Sequence, residues 1–206
     1  RRLEFYPSVE DEIQVQRLLE SRGLLLAANP KSEIQNLKFV IIHPGTGAAV
    51  KLWSPERWAA VADALAERWG ARILLTGSAG ERGLAEDIAA AMRQPATILT
   101  GETNLGQLAA IFARCDLVLG VDSGPLHLAV AVDAPTVHLC GPVDPAAFGP
   151  WGDPQRHRVV QAHYGEEPWH GRPCNRLDYG PAELAHHPCM ATITVEQVLA
   201  AAQANL

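Results

Sequence analysis

The sequence predicts an α/β protein built on a doubly wound parallel sheet. Between Lys38 and about Val132, short apolar runs alternate with longer segments whose apolar residues recur every three or four positions. The short runs are apolar without alternation, which is typical of strands buried on both faces. Strands that alternate with helices form parallel sheets covered by helices on both sides. These observations together predict a doubly wound α/β domain.

The first 37 residues are expected to precede the sheet. Ser8 and Asp11 have the spacing of a capping box, which predicts a helix that Gly23 ends. The residues from there to position 37 include asparagine, proline and serine but have little periodicity, so they are interpreted as a connector. Residues 1–37 are thus expected to be a linker with a lead-in helix, and residues 38–206 to be the domain proper.

Each element of that domain has its own signal. Phe39–His43 is apolar and branched, as a strand should be, and Ser54 followed by Pro55 predicts a helix that Gly70 ends. The apolar residues of this helix form one stripe: Trp58, Val61, Ala62, Leu65 and Trp69. Further strands are expected at 72–76, 97–99, 117–121, 135–139 and 158–161, and further helices at 81–92, after Asn104, after Ser123 and after Thr194.

The most informative stretch follows the predicted strand 117–121. It contains Asp122, Ser123, Gly124, Pro125 and His127, where a strand changes into a buried helix. In open parallel sheets, ligands bind outside the carboxyl ends of the strands. Ser123 is expected to cap the helix, Gly124 to allow close approach to the backbone, and the free N–H groups to attract an anion such as phosphate.

A second candidate region is the glycine-rich loop after the first strand. It matches neither the Walker pattern nor the dinucleotide fingerprint, but it contains Thr46 and Gly47 and ends at Lys51, so a hydroxyl and an ammonium could reach a diphosphate. Glu81, in the first turn of its helix, could bind a ribose hydroxyl.

Each of these residues also has an alternative interpretation. Lys51 could be a solvated loop lysine, and Glu81 could only complement the helix dipole. Asp122 could cap a helix without a ligand, and His127 could be a buried histidine with a hydrogen-bond partner. The grouping of acid, hydroxyl, glycine, proline and histidine at one strand end favours a site.

The cysteines favour a reducing compartment, because no dense disulfide framework is present. Cys115 and Cys140 lie beside predicted strands and are expected to pack in the core. Residues 163–190, rich in proline, glycine, histidine and tryptophan, are expected to form a long irregular excursion near the C-terminus, called the C-terminal excursion. It contains Cys174 and Cys189 with His163, His170, His186 and His187, but the spacings favour a loop thiol pair or simple packing over zinc. Trp151 and Trp169, near or within that excursion, are interpreted as loop anchors rather than a sugar platform.

The bulk composition excludes several classes of protein. The formal charge is −6 with no run of basic residues, so a nucleic-acid partner is not expected. No apolar segment approaches the roughly 20 residues needed to cross a bilayer, and no signal peptide is visible. The chain begins at Arg1, and its only methionines are Met92 and Met190, so it is expected to be a fragment.

Several of these residues together match one pattern. His43-Pro44-Gly45, then Lys51, Trp53, Pro55 and Trp58, and above all the block from Asp122 to Ala129 resemble the family 9 glycosyltransferases, the lipopolysaccharide heptosyltransferases. Gly141-Pro142-x-Asp144-Pro145 and the Cys174…Cys189-Met190 tail are similar to that family too. The resemblance covers roughly residues 38–204, and its specific part is the block at 122–129.

The resemblance implies a GT-B enzyme, in which two Rossmann-like domains face a cleft, and this chain would be the half that binds the nucleotide-sugar donor. Its implied site residues are Thr46, Gly47 and Lys51 for the diphosphate, Glu81 for the ribose, Thr103 by the adenine, and Asp122, Ser123, Gly124, Pro125 and His127 around the pyrophosphate and sugar. It implies an ADP-sugar donor, ADP-L-glycero-β-D-manno-heptose first, and no metal cofactor. Ser123 stands where many members have threonine.

The family's presumed catalytic base is an aspartate of the N-terminal domain, which this chain lacks. The resemblance therefore implies that the chain alone is inactive, that its partners are that domain and a lipid A-core or other glycan acceptor, and that the whole enzyme is cytoplasmic or peripheral at the inner face of the membrane. The alternatives are a module that binds a nucleotide-sugar without catalysis and, less favoured, a sugar-nucleotide epimerase. The absence of the dinucleotide glycine pattern argues against a reaction that uses NAD.

Overall fold

A computed structural model describes residues 3–24, 38–163, 173–184 and 187–206. The predicted connector from residue 25 onward lies outside these ranges, as do Trp169, His170 and His186. Among the described helices, none is both long and apolar enough to span a bilayer.

The secondary structure follows the predicted order. The strands are β1 (Phe39–His43), β2 (Arg72–Leu75), β3 (Ala96–Ile98), β4 (Leu117–Val121), β5 (Thr136–Cys140) and β6 (His157–Gln161). The helices are α1 (Val9–Ser21), α2 (Pro55–Trp69), α3 (Arg82–Ala91), α4 (Leu105–Phe112), α5 (Gly124–Ala131), α6 (Pro145–Phe148), α7 (Pro181–Leu184) and α8 (Val195–Gln203). Short 3₁₀ turns occur at Ala49–Lys51, Ala79–Glu81 and Cys189–Thr192.

The strands form one parallel sheet in the order β3-β2-β1-β4-β5-β6. The predicted doubly wound α/β class is confirmed. The chain winds outward in one direction from β1 to β3, and then returns to the middle of the sheet and winds the other way from β4 to β6. The two halves meet between β1 and β4, where His43 is in register with Gly120. Such a switch point opens a crevice at the carboxyl ends of the strands.

Two cores cover the two faces of the sheet. Val40 and Ile42 of β1 pack on one side with α2, α3 and α8, whereas Ile41 packs on the other side with α1, α4 and α5. Successive side chains of a strand point to opposite faces, so an uninterrupted apolar run serves both cores. Burying each such side chain contributes about 1.5–3 kcal/mol.

Helix α2 forms as its sequence predicts. The Ser54 hydroxyl accepts a hydrogen bond from the Arg57 amide, Pro55 occupies the first turn, and Gly70 ends the helix at φ 64°. That left-handed conformation favours glycine because a Cβ would be strained there. The stripe is buried at Trp58, Val61, Ala62 and Leu65, so this helix is fixed against the sheet.

Two features position the elements around the carboxyl edge of the sheet. The predicted capping box of Ser8 and Asp11 forms at α1, and Val15 of that helix is completely buried in the second core. At Gly120 of β4, an added Cβ would overlap Leu126 of α5 and the carbonyl oxygen of His43. Because glycine stands there, α5 can begin close against the switch point.

Candidate functional site

A cleft of about 1200 Å³ lies at the carboxyl edge of the sheet, over the switch point. The loops that follow β1, β2, β3 and β4 line it, together with Leu177 and Asp178 of the C-terminal excursion. Its lining residues are His43, Gly45, Thr46, Gly47, Ala48, Lys51, Gly77, Ser78, Glu81, Thr103, Asn104, Leu105, Gly106, Leu108, Asp122, Ser123, Gly124, Pro125, Leu177 and Asp178.

The cleft brings together most of the residues singled out from the sequence. Nine line it: Thr46, Gly47, Lys51, Glu81, Thr103, Asp122, Ser123, Gly124 and Pro125. His127 is not among the described lining residues, but its Nε2 atom lies 3.3 Å from Oδ1 of Asp122. The grouping at one strand end and the loop after the first strand thus converge in a single place.

Lys51, Asp122 and His127 form a connected charged cluster. Lys51 Nζ donates to Asp122 Oδ2 at 2.6 Å and to its carbonyl oxygen at 3.2 Å. Burial raises the pKa of Asp122, but hydrogen bonds from His127 and Lys51 outweigh burial, so its pKa lies below the ordinary value. The Asp122 carboxylate is therefore ionised at neutral pH and holds the ammonium in place, which rules out a freely solvated Lys51.

The start of α5 differs from the sequence expectation in one respect. Ser123 occupies the N-cap position, yet its side chain makes no capping hydrogen bond, and its buried Oγ has no partner among the described residues. Pro125 has no N–H, and the amides of Leu126 and His127 donate to the Ser123 carbonyl oxygen. Anion binding here would therefore rest on the amides of Ser123 and Gly124 and on the helix dipole.

Glu81 caps the start of its helix and also lines the cleft. Its Oε2 accepts from the Ser78 amide at 2.6 Å and the Ser78 hydroxyl at 2.8 Å, as a helix cap, and the residue also lines the cleft. Gly45 makes room for it, because an added Cβ there would overlap the Glu81 carboxylate. Nearby His43 is 4% exposed, and burial lowers its pKa to about 4, so it is neutral at pH 7.

The cleft also includes the residues next to Thr103. Asn104, Leu105 and Gly106 begin α4 beside Thr103, and Leu105 is 66% exposed. This segment follows the end of β3, and the carboxyl ends of all parallel strands lie at the same edge of the sheet. Its place in the sequence could therefore have predicted that it lines the cleft.

Leu177 and Asp178 also line the cleft, although nothing in the surrounding sequence indicated that they would. Their segment is held to the loop after β5. The Asn175 amide donates to the Pro142 carbonyl oxygen at 2.7 Å, and the Asp144 amide donates to Asn175 Oδ1 at 3.3 Å.

Cys174 and His187 of the C-terminal excursion lie close together. Cys174 Sγ lies 3.5 Å from His187 Nε2, and the buried Cys189 packs near Gly141. All four cysteines are free thiols. In the part of the chain that is described, no group of three or more His, Cys, Asp or Glu could hold a metal ion. The Trp151 side chain is 48% exposed.

Comparison with known proteins gives a consistent result. The family model for glycosyltransferase family 9 (heptosyltransferase) matches residues 7–179. Lipopolysaccharide heptosyltransferase 3 of Escherichia coli is 33% identical over 118 residues, covering 56% of this chain and 34% of that protein. The lipopolysaccharide core heptosyltransferase OpsX of Haemophilus influenzae is 30% identical over 164 residues, covering 79% and 46%. The chain thus spans between a third and a half of these relatives.

Solved structures have the same fold. A family 9 glycosyltransferase from Veillonella parvula superposes with a TM-score of 0.78 at 25% identity, covering 98% of this chain and 53% of that one. The Escherichia coli heptosyltransferase WaaC, solved with ADP, superposes with a TM-score of 0.62 at 23% identity, covering 89% and 53%. Since the family model matches well over half of the residues, this chain belongs to glycosyltransferase family 9, the heptosyltransferase family.

Proposed function

We propose that this chain is the donor-binding half of a heptosyltransferase-type glycosyltransferase, which transfers a heptose or related sugar from an ADP-sugar, with inversion, to a lipopolysaccharide-core or other glycan acceptor. Residues 38–206 would be the donor domain, and residues 1–37 a linker and lead-in helix from an N-terminal acceptor domain. The whole enzyme would work in the cytoplasm or at the inner face of the membrane. The observation that carries the proposal is the cleft over the switch point, in which Lys51 and the start of α5 face the same space.

The proposed donor lies along this cleft from one strand end to the next. The adenine is placed by Thr103, the ribose by Glu81, and the diphosphate among Thr46, Gly47 and Lys51. Asp122 to Pro125 are proposed to surround the pyrophosphate and the sugar, with His127 supporting Asp122. The solved complex of Escherichia coli WaaC with ADP supports an adenine nucleotide as the ligand class.

The chemistry requires a stabilised leaving group. As the bond from the sugar to the diphosphate breaks, negative charge grows on the departing ADP. Lys51 is already oriented by Asp122, and preoriented cationic donors of this kind are typically worth a few kcal/mol in a water-poor cleft. Lys51 is therefore proposed as the leaving-group stabiliser, and no metal ion is needed in this scheme.

The acceptor hydroxyl also needs a general base. Asp122 and Glu81 are both engaged by hydrogen-bond donors, and the hydrogen bond from Arg176 lowers the pKa of Asp178, which weakens it as a base. We therefore assign the base to the N-terminal domain, and expect no transfer by this chain alone. The alternative is a binding module that holds a nucleotide-sugar without catalysis.

Calorimetry with ADP and AMP tests the site. Wild type should bind ADP more tightly than AMP, because only ADP carries the second phosphate. Lys51→Ala should weaken ADP at least tenfold and AMP much less, since the lost interaction is a charge-assisted hydrogen bond to that phosphate. Arg68→Ala, which changes an exposed cation at the end of α2, is the matched control and should bind both ligands as wild type does.

ADP binding that is unchanged in both Lys51→Ala and Asp122→Ala would mean that the pocket is wrongly assigned. The enzyme and the binding module are separated by a transfer assay with ADP-heptose and lipid A-core acceptor. It would use the chain extended by whatever the same reading frame encodes before Arg1. Turnover supports the enzyme, and donor binding without turnover supports the module.

A further inference from the structure

The segment containing Leu177 and Asp178 lines the cleft. It is anchored through Asn175 to Pro142 and Asp144, in the loop that follows β5. Because β5 is the neighbour of β4 on the side away from β1, we infer that this segment lies on the β5 side of Asp122, away from the loop after β3.

The proposed donor extends in that direction. With the adenine by Thr103 and the diphosphate by Lys51, the next group along the cleft is the sugar, and it points toward Leu177 and Asp178. This step rests on the proposed function, since it uses the orientation of the donor assigned there.

The segment is held in a fixed turn. Arg176 donates to Asp178 Oδ1 at 3.0 Å and makes two hydrogen bonds to Glu183, of 2.7 Å and 3.1 Å. The guanidinium also lies 4.4 Å from the centre of the Tyr179 ring. A side chain placed by several contacts loses little conformational freedom when a ligand arrives.

The chemistry of the two side chains selects a sugar over a phosphate. The Asp178 side chain is 87% exposed, and a carboxylate that accepts one hydrogen bond from Arg176 can accept others, which hydroxyl groups supply. The same negative charge disfavours a second anion at this end. Leu177, 43% exposed, offers an apolar surface to the C–H face of a pyranose ring.

We propose that Leu177 and Asp178 complete the sugar subsite beside Asp122, and that Asp178 determines donor specificity by accepting hydrogen bonds from hydroxyl groups of the transferred sugar. The subsite is supplied by the C-terminal excursion rather than by a strand end. It would therefore discriminate between donors that share the same ADP group.

The test compares ADP with ADP-heptose by calorimetry. In Asp178→Ala, the affinity for ADP-heptose should fall about tenfold, while that for ADP stays within twofold of wild type. Asp178→Asn should be intermediate for ADP-heptose, since an amide oxygen can still accept a hydrogen bond. Asp87→Asn, which removes an exposed carboxylate of α3 outside the cleft, is the matched control and should change neither affinity.

The two proposals fail in different ways. If wild type does not bind ADP, the proposed function fails, and the sugar subsite fails with it. If wild type binds ADP, but Asp178→Ala retains the same preference for ADP-heptose over ADP as wild type, only the sugar subsite is overturned. The same holds if wild type binds ADP-heptose no better than ADP, or if the variant weakens both ligands alike.

Discussion

The ammonium of Lys51 lies 2.6 Å from the carboxylate of Asp122, across the switch point of the sheet. Both side chains are nearly enclosed, at 12% and 7% exposure, so the pair is shielded from solvent far more than a surface salt bridge. It joins the loop after β1 to the end of β4. The pair therefore ties together the two halves of the doubly wound sheet at the point where the cleft opens.

The pairing limits what either residue can do alone. An ammonium has three N–H donors, and Asp122 accepts two of them through its carboxylate and its carbonyl oxygen. One donor of Lys51 remains for a phosphate oxygen. Asp122 thus acts mainly by fixing the position of the remaining N–H donor of Lys51. Without Asp122, the lysine side chain would take up a fixed position only when the ligand binds.

The first prediction concerns Asp122→Asn. The variant removes the charge that balances the nearly enclosed Lys51, so the free energy of unfolding should fall by about 1–3 kcal/mol at pH 7. The pKa of Asp122 is lowered in the folded state, so its contribution is present above about pH 4 and is lost as the pH falls through the folded pKa. Urea unfolding of both proteins between pH 7 and pH 3 checks this.

The difference in stability between wild type and Asp122→Asn should shrink as the pH falls below about 4. A difference that stays constant down to pH 3 would contradict the assignment of an ionised, paired Asp122. Asp87→Asn serves as the control, since its carboxylate is exposed on α3 and its removal should leave the pH dependence almost unchanged.

The second prediction concerns His138, which is completely buried in β5. Its Nε2 lies 3.0 Å from the Thr136 hydroxyl, whereas its Nδ1 has no hydrogen-bond partner among the described residues. Burial lowers the pKa of His138 to about 3, against about 6.5 in an unfolded chain. The unfolded state therefore takes up a proton first, so this stability is full above pH 6.5 and declines as the pH falls toward 3.

His138→Leu should remove this pH dependence. Between pH 6.5 and pH 4, protonation of His138 in the unfolded state should lower the free energy of unfolding of the wild type by up to about 3 kcal/mol. The variant lacks this contribution, so its free energy of unfolding should fall less over the same range. At pH 7 the two should lie within about 1 kcal/mol of each other, because only one neutral hydrogen bond is lost. Chemical denaturation at several pH values measures both, and parallel curves for the two proteins would refute the prediction.

Most of the fold could be predicted from the sequence because its signals are local. The cap at Ser54 and the left-handed Gly70 appear where the composition indicates them. The candidate site was accessible for the same reason at Asp122 and Ser123, which follow a strand directly. The Lys51–Asp122 pair spans 71 residues and depends on β1 lying next to β4, which only the strand order reveals.

Where the structure differs from the sequence-based predictions, the physical cause is not visible in any local sequence pattern. The Ser123 hydroxyl does not cap α5, although its sequence position is typical of a cap. Leu177 and Asp178 reach the cleft through contacts of Asn175 with the loop after β5, in a segment without hydrophobic periodicity. Positions of this kind are determined by tertiary packing.

The third prediction compares two glycine-to-alanine substitutions. At Gly120 an added methyl would overlap Leu126 and the carbonyl oxygen of His43, so Gly120→Ala should cost about 1–3 kcal/mol of stability and should also weaken ADP binding. At Gly83, on the exposed surface of α3, nothing lies within 4 Å, and Gly83→Ala should stabilise the protein by about 0.5–1 kcal/mol. Thermal unfolding with and without ADP measures both effects, and equal shifts would be inconsistent with close packing at Gly120.

The last prediction links Gly45 to Glu81. A methyl at Gly45 would overlap the Glu81 carboxylate, so Gly45→Ala should displace Glu81 and, because that carboxylate caps its helix at Ser78, should cost about 0.5–2 kcal/mol of stability. If Glu81 binds the ribose, Gly45→Ala and Glu81→Ala should each weaken ADP several-fold, and the double variant should be no weaker than Glu81→Ala. Additive losses in this double-mutant cycle would mean that the two residues act separately.

Gly47→Ala tests whether the diphosphate passes the same loop. An added methyl at Gly47 would meet nothing within 4 Å, so only a bound ligand could contact it. Weaker ADP binding in this variant would therefore indicate that the diphosphate lies against the loop.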